Sequence, residues 1–184
     1  MIYRAFLKKS SDKTVSNEIH RLGSQLIAHG FMVEKGINYN SEPIVKNPWG
    51  KPALKNYPNI YYNISHSMEL AVCVISDTDI VGIDVEKIRQ FSSHAARRVC
   101  SNEELNRIYL SNDSKREFFR YWTLKESFIK AIGKGISYPM RSVNFNIQEN
   151  GEIFCNIPDC SFLLLEDIEN YITAVCYLRK LGKE

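Results

Sequence analysis

Two segments of the chain carry acids and a lysine at spacings that could do chemistry. In Val81-Gly-Ile-Asp-Val-Glu86, Asp84 and Glu86 stand two positions apart in a run that reads as a strand, so both side chains leave the same face. In Trp122-Thr-Leu-Lys-Glu-Ser-Phe-Ile-Lys130, Glu126 and Lys130 stand four apart in a helical run, again on one face. Three carboxylates and an ammonium converging from a strand and a helix suit a magnesium ion holding a phosphorylated substrate. Each pair alone also has a plainer reading. Asp84 and Glu86 could end a strand with one solvated face and pair with Lys87 or Arg89. Glu126 and Lys130 could be an ordinary ion pair on an exposed helix, worth a few tenths of a kcal/mol. Against the plain reading, Ile80, Val81, Ile83 and Val85 describe a largely buried strand. Two acids there are costly unless paired or metal-bound, and Gly82 lets something approach the strand closely.

Further along the chemistry, Asn63-Ile-Ser-His-Ser67 gathers hydroxyls, an amide and an imidazole at the end of a strand. Such a cluster in a turn could hold phosphate, or could be turn chemistry only. Ser65 and His66 are adjacent, so on a strand they face opposite ways and do not make a nucleophilic pair. Gly50-Lys-Pro52 places Lys51 in a restrained loop.

These residues need elements to position them. Ile2–Leu7 reads as a strand, and Val15–His29 has the helical apolar period, with Gly30 as its stop. Residues 34–59 are rich in Asn, Pro, Gly and Lys and read as an ordered loop region with short extended pieces. Ile60–Ile64, Leu70–Ile75 and Ile80–Val85 are short strands. Ser101-Asn-Glu-Glu104 is a capping box. Ser114-Lys-Arg-Glu117 repeats that pattern and opens a helix through Ile132, with Gly133 as C-cap. Further strands fall at 142–147, 152–155, 161–166 and 171–178. The order gives two α+β halves of similar kind, residues 1–80 and 81–184, joined near 76–90. No internal repeat is visible in the residues themselves.

The bulk numbers bound the answer. At 184 residues the chain suffices for one well-packed domain or two small halves. Its 44% hydrophobic and 24% charged residues are those of an ordinary soluble protein. No apolar run approaches the roughly 20 residues that span a bilayer, and the N-terminal apolar core is too short for a signal peptide. The expectation is a cytoplasmic protein with no membrane association. A net charge of +3 is far from a nucleic-acid-binding signature. Residues 1–60 carry nine Lys/Arg against four Asp/Glu. A basic first half facing an acidic site would suit a polyphosphate, although an ordinary solvated surface gives the same counts. The five cysteines form no C-x-x-C pair and read as reduced, mostly buried thiols.

Taken in order, Gly50–Pro52, Asn63–Ser67, Val81–Lys87 and Trp122–Gly135 resemble the 4'-phosphopantetheinyl transferases. The likeness is to their single-chain, surfactin-synthetase-activating type, and it covers about residues 48–145. It implies an α+β fold of two similar halves related by a pseudo-twofold, each a small antiparallel sheet packed with helices, with a shortened N-terminal half. It implies that Asp84, Glu86 and Glu126 are magnesium ligands and that Lys130 contacts the coenzyme A phosphates. Glu126 matches the general base. Lys51, Ser65 and His66 match positions that contact the adenosine 3'-phosphate and its neighbours, and Glu104 matches a glutamate of the family's S-x-x-E motif. The family's N-terminal arginine falls on Ile19, leaving Arg21, Lys8 or Lys9 as substitutes.

The reaction so implied is magnesium-dependent transfer of phosphopantetheine from coenzyme A to a serine of an apo acyl or peptidyl carrier protein, by a monomer. Adenosine 3',5'-bisphosphate leaves. The basic residues between Arg89 and Arg116 could steer an acidic carrier. Rival readings use the same residues: a magnesium-dependent hydrolase of nucleotide pyrophosphates needs the carboxylates but no docking surface, and a non-catalytic module would keep only the fold.

Overall fold

The computed structural model describes residues 1–7 and 15–180. The architecture is α+β. The chain runs β1 (Ile2–Phe6), α1 (Val15–Lys35), β2 (Ile44–Lys46), β3 (Pro52–Leu54), β4 (Tyr61–Ser67) and β5 (Leu70–Ser76). It continues through β6 (Asp79–Lys87), α2 (Ser93–Val99), α3 (Asn102–Leu110) and α4 (Ser114–Ile132). It ends with β7 (Phe145–Ile147), β8 (Ile153–Cys155), β9 (Cys160–Leu165) and β10 (Tyr171–Arg179). Two antiparallel sheets result, ordered β1-β5-β4 and β6-β10-β9, with the short hairpins β2-β3 and β7-β8 beside them. Both halves follow a similar path, strand, helix, small hairpin, strand, strand, with the last strand central, and the second half adds α2 and α3 before α4.

Each sheet buries one face under its own helix and the other against its partner sheet. Ile27, Phe31, Tyr62, Cys73 and Ile75 form the core beneath α1. Leu70, Val72 and Val74 meet Val81, Ile83, Val85, Tyr171 and Val175 between the sheets. Phe118, Leu124, Phe128, Ile172, Ala174 and Cys176 lie in the core beneath α4. The odd residues of β6 therefore face the first sheet and the even ones face α4, as strand alternation requires. Gly82 permits this fit: a methyl group there would stand 2.0 Å from the Ser127 carbonyl oxygen and 2.4 Å from the Ala131 nitrogen. The backbone of α4 rests directly on that of β6.

Several boundaries differ from the sequence reading. α1 does not stop at Gly30 but runs on to Lys35, where Gly36 turns left-handed at φ 65°. Gly30 instead lets the helix press on Tyr3 and Ile75, each 2.9 Å from where a methyl group would be. Asp113, not Ser114, caps α4 by accepting from the Arg116 amide, because Glu117 turns forward to Arg120 and leaves no reciprocal box. Asn63–Ser67 lies wholly within β4, so the cluster belongs to a strand and the turn follows at Met68, φ 52°. Helix α2 has no counterpart in the sequence reading.

At α3 the capping box is present: the Glu104 amide donates to Ser101 Oγ and the Ser101 amide to Glu104 Oε2. Glu104 is buried, pairs with the buried Lys125 of α4 at 2.8 Å, and accepts from the Phe145 amide. Lys125 also donates to the carbonyls of Met140 and Val143. Glu104 is thus committed to structure. The cysteines are free, with Cys73, Cys100 and Cys176 buried.

Candidate active site

β6 presents Asp84 and Glu86 toward α4, and α4 presents Glu126 and Lys130 back. Together with Ile64, Ser65, His66 and Trp122 these four line one hollow of about 290 Å³. Lys130 Nζ donates to Asp84 Oδ1 at 2.6 Å and to Ser65 Oγ at 2.8 Å. Glu86 Oε2 accepts from Ser67 Oγ at 2.9 Å and from Arg89 at 2.6 Å. Arg89 also lies over the Phe119 ring.

Burial and mutual repulsion govern the charges. Burial pushes the Asp84 carboxyl above the usual carboxylate range; Lys130 opposes this and Glu86 adds to it. Glu126 is pushed up to about 6, by burial first and then by Asp84, with Glu86 adding and Lys130 opposing. Asp84 Oδ2 is buried without a hydrogen-bond partner among the described residues. An all-carboxylate donor set, an orphaned oxygen and carboxylates that repel one another fit a hard divalent cation. As the side chains stand, no three His, Cys, Asp or Glu among the described residues enclose a metal position. The Lys130 ammonium lies against Asp84 instead.

The first half reaches this hollow through β4. Ser65 faces β6 while His66 faces α1, where its Nε2 lies 3.0 Å from His20 Nδ1 with the rings edge to face. Burial lowers the His66 pKa, and His20 and Lys130 lower it further. His20 escaped the sequence reading, since a lone exposed histidine on an amphipathic helix carries no signal. Ile19, where the family arginine would fall, is buried in the core, and Arg21 is exposed. Lys8 and Lys9 lie outside the described residues.

The structure does not bring Lys51 to the others. Its Nζ donates to the carbonyls of Val81 at 3.0 Å and Ala131 at 2.5 Å, and burial lowers its pKa to about 8. Asn47 donates to the Gly133 carbonyl at 2.8 Å. The loop Asn47–Lys51 therefore clasps the C-terminal end of α4, satisfying carbonyls that a helix end leaves open.

A second, more apolar hollow of about 520 Å³ adjoins the first. His94, Arg98, Val99, Tyr138 and Met140 line it, and it shares Trp122 and Glu126 with the polar hollow. Of the basic residues proposed for carrier steering, Arg98 stands here. Arg116 is tied to Glu166, and Arg107 donates to the Ile147 carbonyl.

The chain is similar to several known proteins. A relative from Bacillus subtilis, 4'-phosphopantetheinyl transferase Sfp, is 28% identical over 180 residues, covering 94% of this chain and 77% of its own length. Another from Bacillus subtilis, a 4'-phosphopantetheinyl transferase, is 33% identical over 70% of this chain and 59% of its own. A solved holo-[acyl-carrier-protein] synthase from Thermotoga maritima is similar over 56% of this chain and 64% of its own, with a TM-score of 0.48 and 22% identity. The family model of the 4'-phosphopantetheinyl transferase superfamily matches residues 80–176, a span that opens on β6 and takes in all of α4. Asp84, Glu86, Glu126 and Lys130 all fall inside that match, which exceeds half the chain, and the chain belongs to the 4'-phosphopantetheinyl transferase superfamily.

Proposed function

We propose that this transferase moves the 4'-phosphopantetheine arm of coenzyme A onto a serine hydroxyl of an apo acyl or peptidyl carrier protein, with magnesium as cofactor and adenosine 3',5'-bisphosphate as product. One observation carries the reading: Glu126 lines both the polar hollow and the apolar one. A carboxylate standing between a phosphate-sized polar site and an open apolar approach is placed to take a proton from an incoming hydroxyl.

Asp84, Glu86 and Glu126 would hold the magnesium ion. When bound, magnesium would neutralise the negative charge developing on the adenosine 3',5'-bisphosphate leaving group. Lys130 adds a fixed positive charge on the same side. Glu126, with its pKa raised to about 6, is largely ionised at neutral pH yet basic enough to accept the serine proton. Residues 1–80 would serve the nucleotide end through His66 on β4, and residues 81–184 would supply the metal site and the catalytic helix. Lys51 would act on the site through α4, by holding the helix end. Because β4, β6 and α4 come from one chain, a monomer suffices.

The test is a mass measurement on a purified apo carrier protein incubated with coenzyme A, magnesium and this protein. A gain of one phosphopantetheine on the carrier supports the proposal. Cleavage of coenzyme A without a carrier would establish the pyrophosphate hydrolase instead.

A further inference from the structure

The edge of β6 that does not pair with β10 is covered in an unusual manner. Among the described residues no backbone strand continues the sheet there. Alternate side chains of β4 receive the amides instead: Ile83 N–H donates to Asn63 Oδ1 at 2.9 Å, Val85 N–H to Ser65 Oγ at 3.3 Å, and Lys87 N–H to Ser67 Oγ at 3.1 Å. The period of two along both strands keeps the rungs in register. An exposed sheet edge thereby becomes a closed junction between the halves.

Two of the rungs do more. Ser65 Oγ donates its proton to Asp84 Oδ1 at 3.0 Å, and Ser67 Oγ donates to Glu86 Oε2 at 2.9 Å. Each serine accepts from one residue of β6 and donates to the carboxylate of the residue before it. A hydroxyl has one proton and two lone pairs. At Ser65 all three are committed, since Lys130 also donates to its oxygen. Ser65 is 6% exposed and Ser67 8% exposed.

We propose that Ser65 and Ser67 are positioning residues, which aim the carboxylates of Asp84 and Glu86 into the site by hydrogen bonds anchored on the β6 backbone. Ser65 on this account holds the metal ligands and does not bind coenzyme A phosphate through its own proton. The inference rests on the reading of Asp84 and Glu86 as magnesium ligands. Its weight falls more on Ser65. Each carboxylate keeps a cation on the oxygen its serine holds, Lys130 for Asp84 and Arg89 for Glu86, but the other oxygen of Asp84 is buried with no partner among the described residues. Outer partners of metal ligands are worth about 10- to 100-fold in metal affinity.

The test is calorimetric titration of magnesium chloride into the full chain and its variants, with folding checked by circular dichroism and Michaelis constants measured separately for magnesium and coenzyme A. Ser65→Ala should weaken magnesium binding by about 10- to 100-fold and leave the coenzyme A constant near its starting value. Ser65→Thr, which keeps the hydroxyl, should restore magnesium binding, and Ser67→Ala should weaken it by a smaller factor. If Ser65→Ala does not fold, Ser67→Ala against Ser67→Thr decides by the same measurement. Unchanged magnesium affinity in a folded Ser65→Ala, or a loss confined to coenzyme A, would overturn the inference. Asp84→Asn separates the two levels of the argument. If it loses magnesium while Ser65→Ala does not, only the positioning role fails. If it binds magnesium normally, the metal reading fails and the inference goes with it.

Discussion

The two halves trace the same path, yet they fasten helix to sheet by opposite means. In the first half the glycines are on the helix: Gly23 and Gly30 of α1 let it settle on side chains, with Ile64 Cγ2 lying 3.0 Å from a methyl group built at Gly23. In the second half the glycine is on the strand: Gly82 of β6 lies against the backbone of α4 itself. The chemistry is divided just as unequally. β6 turns Asp84 and Glu86 toward the site where β1 reads Ile-Tyr-Arg-Ala-Phe, and α4 carries Glu126 and Lys130, while α1 offers the site His20. The first half contributes through β4, and the second through its first strand, β6, and α4. A repeated chain path thus yields one candidate site, at the junction of β4, β6 and α4. The contacts between β1 and the far end of the second sheet are an ion pair, Arg4 with Asp167, and a ring contact, Phe6 with Tyr171.

This asymmetry can be broken most severely at that junction. Glu126→Gln and Asp84→Ala should each lower transfer by roughly 100- to 10,000-fold with an unchanged circular dichroism spectrum. A folded variant of either kind with near-normal mass transfer to the carrier would remove that residue from the chemistry.

Gly82→Ala is the next largest effect. The added methyl meets helix backbone that cannot rotate away, so we expect a loss of about 3 kcal/mol, read as a fall in melting temperature of about 6–12 °C. A normal melting point would mean that α4 does not rest on β6 as described.

Magnesium should expose the same region by linkage. The Glu126 carboxyl, raised from 4.5 to about 6, binds more protons in the folded chain than in the unfolded one between those values, so metal-free stability falls as pH rises through that window. Magnesium needs the ionised carboxylates. At ten times its dissociation constant it should add about 1.4 kcal/mol above that window, a rise of about 3–6 °C in melting temperature. The rise should fade as pH falls toward 4.5. An equal rise at both ends would detach these carboxylates from the metal.

The smallest effect belongs to the first half. Gly23→Ala gains about 1 kcal/mol of helix propensity and asks only the tip of Ile64 to shift, so stability should stay within about 0.5 kcal/mol. A loss as large as that at Gly82 would erase the distinction between the halves.

Much of this was legible beforehand where a local rule operates unopposed. Alternation placed Asp84 and Glu86 on one face of β6, helical spacing placed Glu126 and Lys130 together, and Ser101 with Glu104 announced the box they form. Local rules misled where distant packing overrode them. Gly30 reads as a stop because glycine weakens a helix, but contact with Tyr3 and Ile75 requires it inside α1. Asp113 and Ser114 are both good caps, and only the direction taken by Glu117 decides between them. Lys51 could not be placed from its neighbours, since a long side chain in a loop reaches whatever the fold brings near, here two carbonyls of the other half. The repeat itself was hidden because the halves share a path and almost none of the residues that act.

The buried pair of Lys125 and Glu104 bears on the orientation of Glu126. Successive residues of a helix are turned about 100° from one another, so whatever fixes Lys125 also fixes the direction in which Glu126 points. Lys125 is gripped by Glu104 and by the carbonyls of Met140 and Val143, on the side of α4 away from the candidate site. That grip sets the azimuth of the helix. Gly82 sets how near α4 lies to β6, and the Lys51 clasp sets where it ends along its axis. Height, reach and rotation of the Glu126 carboxylate are each held by a different neighbour, so an error in any one of them would be felt at Glu126 before it was felt in the fold.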